Sequence, residues 1–344
     1  MAKIEKSELA KKLMGAGFLE SDILSSSRHF KEKSPTQLKI PILNLANSGN
    51  LEGGLMSGVN IIAGPSRHFK TTLALLEVKA YMDKYEKDGA MCIFYDSEFG
   101  VTIDSLIANG VDKDRIIHIH VNSVEDLRND MKQRLNSIAL GDKVIFLVDS
   151  IGNLASKKEL NDAETGNEAA DMTRAKAIKS LFRVVTGTFT DKDIPSIFIA
   201  HVYDEQKLYG KQIVSGGTGI MLAANNVWII GRAQDKDGTE LTGYKFTINV
   251  EKSRYVKEKS KFEFVVSFDG GIDKWSGLLA LALESGHVTK PSNGWYQKGE
   301  DTKYREADTH NSAFWLPILS DKTFRDFCKD KYQLAVGQLL KDEE

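Results

Sequence analysis

The chain has 344 residues, 41% of them hydrophobic, and a formal net charge of −2 at pH 7. That is enough apolar material for one large domain with additions or for two modest domains. The charge balance excludes a strongly basic protein, so nucleic-acid binding would depend on local clusters of cations. Its two distant cysteines, Cys92 and Cys328, are typical of a reduced cytosolic protein. No apolar run approaches the roughly 18 residues of a membrane span, and we expect a soluble cytoplasmic protein without membrane contacts.

Residues 1–45 are predicted to form an N-terminal arm. Residues 1–24 carry apolar side chains among charges, which predicts one or two short amphipathic helices, and a linker rich in serine and lysine follows. The apolar stretch 39–45 predicts a strand. Pro41 within it cannot donate to a ladder, which favours a sheet edge or a contact with another subunit. The arm is either detached or folded back on its own domain.

Strands and helices then alternate as far as about residue 204. Apolar runs predict strands at 59–63, 91–95, 115–121, 144–148 and 194–200. Apolar strands separated by helices indicate a parallel sheet covered on both faces. Three later runs, between about 226 and 268, predict antiparallel strands that extend the same sheet. We expect an α/β core over 46–288 and a small C-terminal region over 289–344.

The turn between the first of these strands and the next helix carries a near match to the phosphate-binding motif G-x-x-x-x-G-K-[ST]. In that motif, backbone N–H groups and a helix N-terminus surround a polyphosphate. We expect the nucleotide to contact Gly64, Pro65, Ser66, Arg67, His68, Phe69, Lys70, Thr71 and Thr72. Lys70 would contact the β- and γ-phosphates, and Thr71 would hold Mg²⁺. Phe69 replaces the second glycine, so its φ must be one that a residue with a Cβ accepts.

Two other strand ends supply acids. Asp149 ends the run 144–149, where α/β sheets place their ligands, and is the candidate that orients Mg²⁺. Asp96 and Glu98 follow the run 91–95 with the spacing of one strand face. Glu98 is the candidate general base, whereas Asp96 either supports it or is a solvated strand end.

His201 ends another apolar strand at the same edge and precedes a long polar loop. Such a histidine is either a satisfied rim residue or a sensor of the γ-phosphate. We favour the sensor, because a contact from this position would order the loop when ATP is bound and release it after hydrolysis.

Two polar loops are candidates for nucleic-acid binding, although each could be an ordinary solvated loop. Loops of this length in a compact domain are usually functional or disordered. The candidate residues combine cations for phosphates, tyrosines for stacking and glycines for close approach. They are Lys157, Lys158, Arg174 and Lys176 in and after the first loop, and Tyr203, Lys207, Tyr209, Lys211, Gly216 and Gly217 in the second.

Lys252 and Arg254 stand at the end of a later predicted strand. In an oligomeric ATPase such cations could reach the γ-phosphate bound to a neighbouring subunit, as an arginine finger does. The alternative is a charged strand end in water.

These residues, in this order, resemble the RecA family of recombinases, and within it those of T-even bacteriophages. The resemblance is carried by Gly64-Pro65-Ser66-Arg67-His68-Phe69-Lys70-Thr71, Phe94-Tyr95-Asp96-Ser97-Glu98-Phe99-Gly100, Asp149-Ser150-Ile151-Gly152-Asn153-Leu154, Asp171-Met172-Thr173-Arg174-Ala175-Lys176, Gly216-Gly217-Thr218-Gly219, Val250-Glu251-Lys252-Ser253-Arg254 and Asn293-Gly294-Trp295-Tyr296. It covers nearly the whole chain.

The resemblance implies a RecA-type ATPase core, with ATP and Mg²⁺ as cofactors, that assembles as a helical filament on single-stranded DNA. The filament would pair and exchange strands with homologous duplex DNA, with the help of loader and single-strand-binding proteins, in the cytoplasm of an infected bacterium. It assigns ATP and Mg²⁺ binding to Lys70 and Thr71, water activation to Glu98 and metal support to Asp149. His201 departs from the glutamine of bacterial RecA, and the acidic tail at 342–344 is short.

Two rival functions use the same core. A ring-forming helicase or another DNA-stimulated motor would unwind duplexes directionally, whereas a recombinase should exchange homologous strands without sustained unwinding. A nucleotide-gated DNA-coating protein with negligible catalysis predicts DNA binding that survives Glu98→Gln with no further defect. The intact pair Asp96 and Glu98, together with the metal candidate Asp149, argues against it.

Overall fold

The computed structural model describes residues 2–18, 21–27, 33–165, 173–204, 212–299 and 302–334. The chain forms two compact units, 1–34 and 35–344. The first contains α1 (Ala2–Ala16), as the sequence predicts, and a short 3₁₀ turn at Leu24–Ser26. Over the part of the chain that the structure describes, no helix is both long and apolar enough to cross a membrane.

A large mixed sheet dominates the second unit. Its strands, with those of two small sheets, are β1 (Gly58–Ala63), β2 (Met91–Asp96), β3 (Ile116–His120), β4 (Val144–Asp149), β5 (Pro195–Ala200), β6 (Val202–Asp204), β7 (Gln212–Val214), β8 (Asn226–Asp237), β9 (Glu240–Ser253), β10 (Lys261–Ser267), β11 (Gly271–Ile272), β12 (Thr289–Ser292), β13 (Trp295–Lys298) and β14 (Thr302–Tyr304). Among the described residues, nine strands form the large sheet, in the order β11-β10-β9-β8-β1-β5-β4-β2-β3.

The pairing of the large sheet follows the sequence prediction. The strands from β8 through β1, β5, β4 and β2 to β3 run parallel, and β9, β10 and β11 extend the sheet in antiparallel fashion. This confirms the α/β fold with a mostly parallel central sheet. Parallel strands bring their carboxyl ends to one edge, so the turns after β1, β2, β4 and β5 lie together there.

Helices cover both faces of this sheet. They are α2 (Pro41–Ser48), α3 (Lys70–Lys84), α4 (Ile103–Ala108), α5 (Val124–Ser137), α6 (Lys157–Thr165), α7 (Thr173–Asp191), α8 (Thr218–Ala223), α9 (Leu278–Glu284), α10 (Ser312–Ser320) and α11 (Lys322–Tyr332). Ile61 and Ile62 of β1 show how the core divides, because successive strand residues face opposite ways. Ile62 packs in one buried cluster with Leu73 of α3, and Ile61 in the other with Leu181 of α7.

The strand predicted at 39–45 is wrong, because this stretch forms most of helix α2. Pro41 occupies the first turn of that helix, where a missing N–H costs nothing and the fixed φ suits the helix. Leu43 and Leu45 are buried in the core rather than exposed at an edge. The buried Asn44 side chain exchanges hydrogen bonds with both the N–H and the C=O of Leu38, which ties the helix to the preceding segment.

The C-terminal part packs on the sheet through aromatic side chains. Trp275 and Trp315 stack with ring centroids 6.5 Å apart, and both join the core cluster that contains Ile62. The small sheet β12-β13-β14 and helices α10 and α11 follow. The domain limits at residues 45 and 288 remain predictions.

Candidate nucleotide site and DNA-binding surface

The phosphate loop runs from β1 into α3, and Lys70 is the first residue of that helix. Its side chain is buried, and its Nζ donates to the Pro65 carbonyl at 2.8 Å. Burial lowers the pKa of Lys70, an effect that the nearby Glu98 and Asp149 oppose. The Lys70 side chain therefore folds back onto the loop that precedes it. The loop lies at the N-terminus of α3, where backbone N–H groups and the helix dipole favour the binding of an anion.

Phe69 adopts the conformation that a glycine usually supplies. Its φ is +62°, in the left-handed region, and its backbone precedes the first turn of α3. A residue with a Cβ enters this region at a cost of roughly 1–2 kcal/mol. The Phe69 ring stacks on Phe246 of β9 with centroids 5.1 Å apart, and the Phe264 ring lies 6.1 Å away. The sequence predicts that the backbone at this position accepts a residue with a Cβ. The structure shows that Phe69 does so with a positive φ, while its ring packs on two other aromatic rings.

Asp149 and Thr71 fit the role of magnesium ligands. The Thr71 hydroxyl donates to Asp149 Oδ2 at 2.7 Å, whereas the buried Asp149 Oδ1 has no hydrogen-bond partner. Burial raises the pKa of Asp149 to about 6, and the Thr71 hydrogen bond opposes the shift. A buried carboxylate oxygen without a partner is costly, and a cation would satisfy it. Over the described residues, no group of three or more His, Cys, Asp or Glu could hold a metal, so phosphates and water would complete the coordination.

Glu98 lies in a small cluster at the carboxyl edge. Its Oε1 accepts a hydrogen bond from the Ser150 hydroxyl and lies 2.8 Å from His201 Nε2. Its side chain is 29% exposed, so solvent reaches it. His201 contacts the candidate base, and its role as a γ-phosphate sensor stays a prediction. A Cβ added at Gly152 would come within 2.4 Å of the His201 ring, so only glycine allows this packing.

The sequence reasoning missed both Ser150 and Gly152. Ser150 directly follows Asp149, which the sequence places at the carboxyl edge of the sheet. Its position next to Asp149 could therefore have identified it as a site residue. The contact of Gly152 with His201 joins the ends of β4 and β5 and had no signal in the sequence.

Asp96 supports the turn that carries Glu98. It is 2% exposed, which rules out the solvated strand end considered for it. Its Oδ1 accepts the backbone N–H of Glu98 at 2.9 Å and that of Phe99 at 2.8 Å, and its Oδ2 lies 3.1 Å from His118 Nε2. Two charge-assisted hydrogen bonds to consecutive N–H groups hold the turn in place.

The comparisons with known proteins agree with this geometry. The family described as RecA N-terminal domain matches residues 42–273. The chain is 49% identical over 323 residues to UvsX, the recombination and repair protein of Enterobacteria phage T4. The matched region covers 91% of this chain and 82% of the phage T4 protein. This chain belongs to the RecA family of recombinases.

Other relatives place the chain in the same family. The family described as "Bacteriophage T4, Recombination and repair protein, C-terminal domain" matches residues 275–328. Protein RecA of Kineococcus radiotolerans is 28% identical over 248 residues, covering 71% of this chain and 68% of that protein. Protein RecA of Chlorobium limicola is 28% identical over 253 residues, covering 72% and 69%.

The described part of the first candidate DNA loop, 152–165, contains helix α6. Lys157 lies 2.7 Å from Asp126, and Lys158 lies 2.9 Å from Asp162 within α6. The Arg174 guanidinium, at the start of α7, donates to the carbonyls of Ile151, Gly152 and Leu154 at 2.7–3.0 Å. Arg174 therefore fixes the turn after β4. Lys176 is exposed on α7.

The second loop is described only in part. Tyr203 is 54% exposed on β6, which pairs with β7 as a short hairpin. Gly216 and Gly217 follow β7 with φ values of +111° and +73°, which favour glycine. Lys207, Tyr209 and Lys211 lie outside the described residues.

Lys252 and Arg254 lie away from the phosphate loop of their own chain. Their neighbour Ser253 pairs with Asn226 of β8, which pairs with Asn60 in the first half of β1. The phosphate loop leaves the other end of β1. Lys252 Nζ donates to the carbonyl of Met221 in α8 at 2.5 Å, while Arg254 is exposed.

Proposed function

We propose that this recombinase binds and hydrolyses ATP with Mg²⁺, and that ATP stabilises a helical filament on single-stranded DNA that exchanges strands with homologous duplex. The observation that carries the proposal is the convergence of the phosphate loop, the partnerless Asp149 Oδ1 and Glu98 at one sheet edge. A carboxylate and a phosphate cradle at this position are what phosphoryl transfer requires.

The phosphate loop binds and orients the triphosphate. Backbone N–H groups from Ser66 to Thr72 surround it, and the N-terminus of α3 faces it. Lys70 exchanges its contact with the Pro65 carbonyl for contacts with the β- and γ-phosphates. Because Lys70 is already buried in the loop, little reorganisation is needed when the nucleotide arrives.

Thr71 and Asp149 would hold Mg²⁺ with oxygen ligands, since the Thr71 hydroxyl lies beside a carboxylate whose buried Oδ1 has no hydrogen-bond partner. Bound Mg²⁺ would neutralise charge that develops on the phosphates. Removal of either side chain leaves the other without the partner it has in the structure.

Glu98 takes the proton from the water whose oxygen bonds to the γ-phosphorus, while the bond from that phosphorus to the bridging β-phosphate oxygen breaks and ADP leaves. Ser150 and His201 both contact Oε1 of Glu98. Because Oε1 is occupied by these contacts, Oε2 is the oxygen that accepts the proton. Asp96 holds the backbone on which Glu98 stands. His201 also precedes the β6–β7 hairpin, so the same contact links the proposed base to the second DNA loop.

Assembly brings in a second protomer. Lys252 and Arg254 lie toward the opposite end of β1 from their own phosphate loop, which supports a role at the ATP of a neighbour. Contacts that repeat head to tail without closing produce a helical filament. We assign packing on an adjacent protomer to the N-terminal residues 1–34, which are a compact unit of their own.

DNA lies along the two loops. We assign phosphate contacts to Lys157, Lys158 and Lys176, stacking to Tyr203 and close backbone approach to Gly216 and Gly217. Lys207, Tyr209 and Lys211 complete the proposed surface, and Arg174 supports it by holding the turn after β4 through three backbone carbonyls. Loader and single-strand-binding proteins, and the cytoplasm of an infected bacterium, belong to the same proposal, which the similarity to the phage T4 protein supports.

The test compares Lys70→Ala with Lys79→Ala. Both lysines lie on α3, but Lys79 forms a surface ion pair with Asp83. Lys70→Ala should abolish DNA-stimulated phosphate release and leave the unfolding midpoint within ~2 °C, whereas Lys79→Ala should change little, because exposed ion pairs contribute under about 1 kcal/mol. Unchanged turnover in Lys70→Ala would refute the site. Homologous strand exchange by the wild type, rather than directional unwinding, distinguishes a recombinase from a helicase.

A further inference from the structure

Phe69 is the point at which the phosphate loop departs from its motif. Its φ of +62° is energetically unfavourable for any residue with a Cβ, whereas glycine adopts it readily. Phe69 immediately precedes Lys70, so its backbone sets the direction in which the loop enters α3. Some contact must compensate for the unfavourable conformation.

The compensating contact is a row of aromatic rings. Phe69 stacks on Phe246 with centroids 5.1 Å apart and planes at 29°. Phe246 in turn stacks on Phe264, its directly opposite partner on β10, at 5.4 Å and 21°. Phe246 and Phe264 are almost fully buried in the core. The ring of Phe69 therefore anchors the phosphate loop to a rigid part of the antiparallel extension.

A second contact comes from β8, the other neighbour of β9 in the sheet. Arg67 also has a left-handed backbone, with φ of +61°. Arg232 of β8 donates from Nη1 to the Arg67 carbonyl at 3.0 Å, and its guanidinium lies 4.7 Å from the centre of the Tyr244 ring on β9. Both left-handed residues of the loop are thus held from β8 and β9.

We propose that Phe69 is a positioning residue that, by stacking on Phe246, holds the phosphate loop ready to receive a nucleoside triphosphate. The inference rests on the proposed function of this loop. A glycine at this position could adopt the same φ, but it would also adopt other values. The stacked Phe69 ring restricts the backbone of the loop to one conformation before the nucleotide binds. Preorganisation of this kind acts on affinity, because less freedom is lost on binding.

The first experiment replaces Phe69 with glycine, the residue that the motif prescribes. Phe69→Gly should raise KM for ATP and Kd for a fluorescent ATP analogue ~5–10-fold, the size expected for loss of an aromatic pair. The kcat at saturating ATP should stay within about twofold, since Phe69 acts before the chemical step. Phe69→Tyr keeps the ring and should bind like the wild type. An unchanged KM in Phe69→Gly, or a loss confined to kcat, would overturn the proposal.

The second experiment tests the partner ring. Phe246→Leu retains apolar volume in the core and should raise KM in the same direction as Phe69→Gly. If the stack is the mechanism, the double variant should be no worse than Phe69→Gly alone, because both changes remove one interaction. Fully additive effects on KM would overturn the proposal.

A matched control uses an aromatic pair remote from the loop. Tyr304 and Phe314 pack edge to face at 5.0 Å, and Phe314→Leu should leave KM unchanged. An equal rise in KM in that variant would overturn the proposal, since it would reflect general loosening of the fold. If the wild type bound no ATP analogue at all, the proposed function itself would fail, which is a different result from normal binding in Phe69→Gly.

Discussion

His201 Nε2 lies 2.8 Å from Glu98 Oε1, so the residue after β5 contacts the acid that follows β2. The same oxygen accepts the Ser150 hydroxyl from the end of β4. Three strand ends therefore meet on one carboxylate oxygen. This arrangement fixes the direction of the second oxygen, which a general base needs.

His201→Ala should lower kcat for ATP about 10–100-fold, because Glu98 loses a group that orients it. His201→Gln offers an amide at a similar reach and should retain most of the activity. DNA-stimulated phosphate release at saturating ATP measures both variants. Equal loss in the two would contradict an orienting role, since the glutamine side chain can still donate a hydrogen bond.

Asp149→Asn should raise the Mg²⁺ concentration needed for half-maximal turnover ~10-fold or more, because the neutral side chain loses a metal-binding carboxylate oxygen. The amide oxygen can still accept from Thr71, so the fold should be retained. Titration of Mg²⁺ at fixed ATP measures the shift. An identical Mg²⁺ requirement would show that Asp149 does not support the metal, and Asp142→Asn, an exposed acid, is the control.

Glu77 makes the stability of the fold depend on pH. It is fully buried on α3, accepts from Asn47 Nδ2 at 2.9 Å, and its Oε2 has no partner. Burial raises the pKa of Glu77 to about 7 from an ordinary value of 4.5. The folded chain therefore keeps this proton between pH 4.5 and 7 while the unfolded chain releases it. The contribution to the free energy of unfolding is complete below pH 4.5 and is lost as pH rises through 7.

Glu77→Gln should accordingly match the wild type at pH 4 and be more stable at pH 8 by up to about 3 kcal/mol. Urea unfolding at the two pH values gives the difference, and Glu86→Gln at an exposed position serves as control. A constant gap between wild type and Glu77→Gln across this range would contradict the assignment.

Arg174 and Lys176 should respond differently to salt. Because Lys176 is exposed and proposed to contact a DNA phosphate, Lys176→Ala should reduce the slope of log affinity against log salt by about 0.7, the value for one contact with a single strand. Arg174 binds backbone carbonyls, so Arg174→Gln, which removes the charge but keeps an N–H donor, should weaken DNA binding without changing the slope. Filter binding over a range of NaCl concentrations measures both variants. A smaller slope in Arg174→Gln would mean that Arg174 contacts a phosphate directly.

Much of the site could be predicted from the sequence because strand ends are local features. Apolar runs that end in Asp96, Asp149 and His201 imply parallel strands, and parallel strands share a carboxyl edge. The phosphate motif added the position of Lys70. No tertiary contact was needed to bring these residues to one edge.

What the sequence did not predict depends on contacts between distant segments. The apolar run 39–45 predicts a strand, with Pro41 at a sheet edge, although Pro41 equally suits the start of the helix that forms there. The left-handed Phe69 depends on Phe246, which is far away in the chain. The hydrogen bonds of Arg174 were not predicted, because its carbonyl partners belong to a turn whose shape the sequence does not reveal.

The central claim is that each ATP site of the filament is formed by two neighbouring protomers, and it can be tested by mixing two variants. Glu98→Gln removes the proposed base, and Arg254→Ala removes a cation proposed to act on the neighbour, so each variant alone should form DNA-dependent fibres with little ATP turnover. Mixed in equal amounts, they should recover about a quarter of wild-type phosphate release, since one in four head-to-tail contacts then pairs an intact base with an intact cation. A mixture that stays as inactive as its components, or full activity of Arg254→Ala alone, would contradict the account.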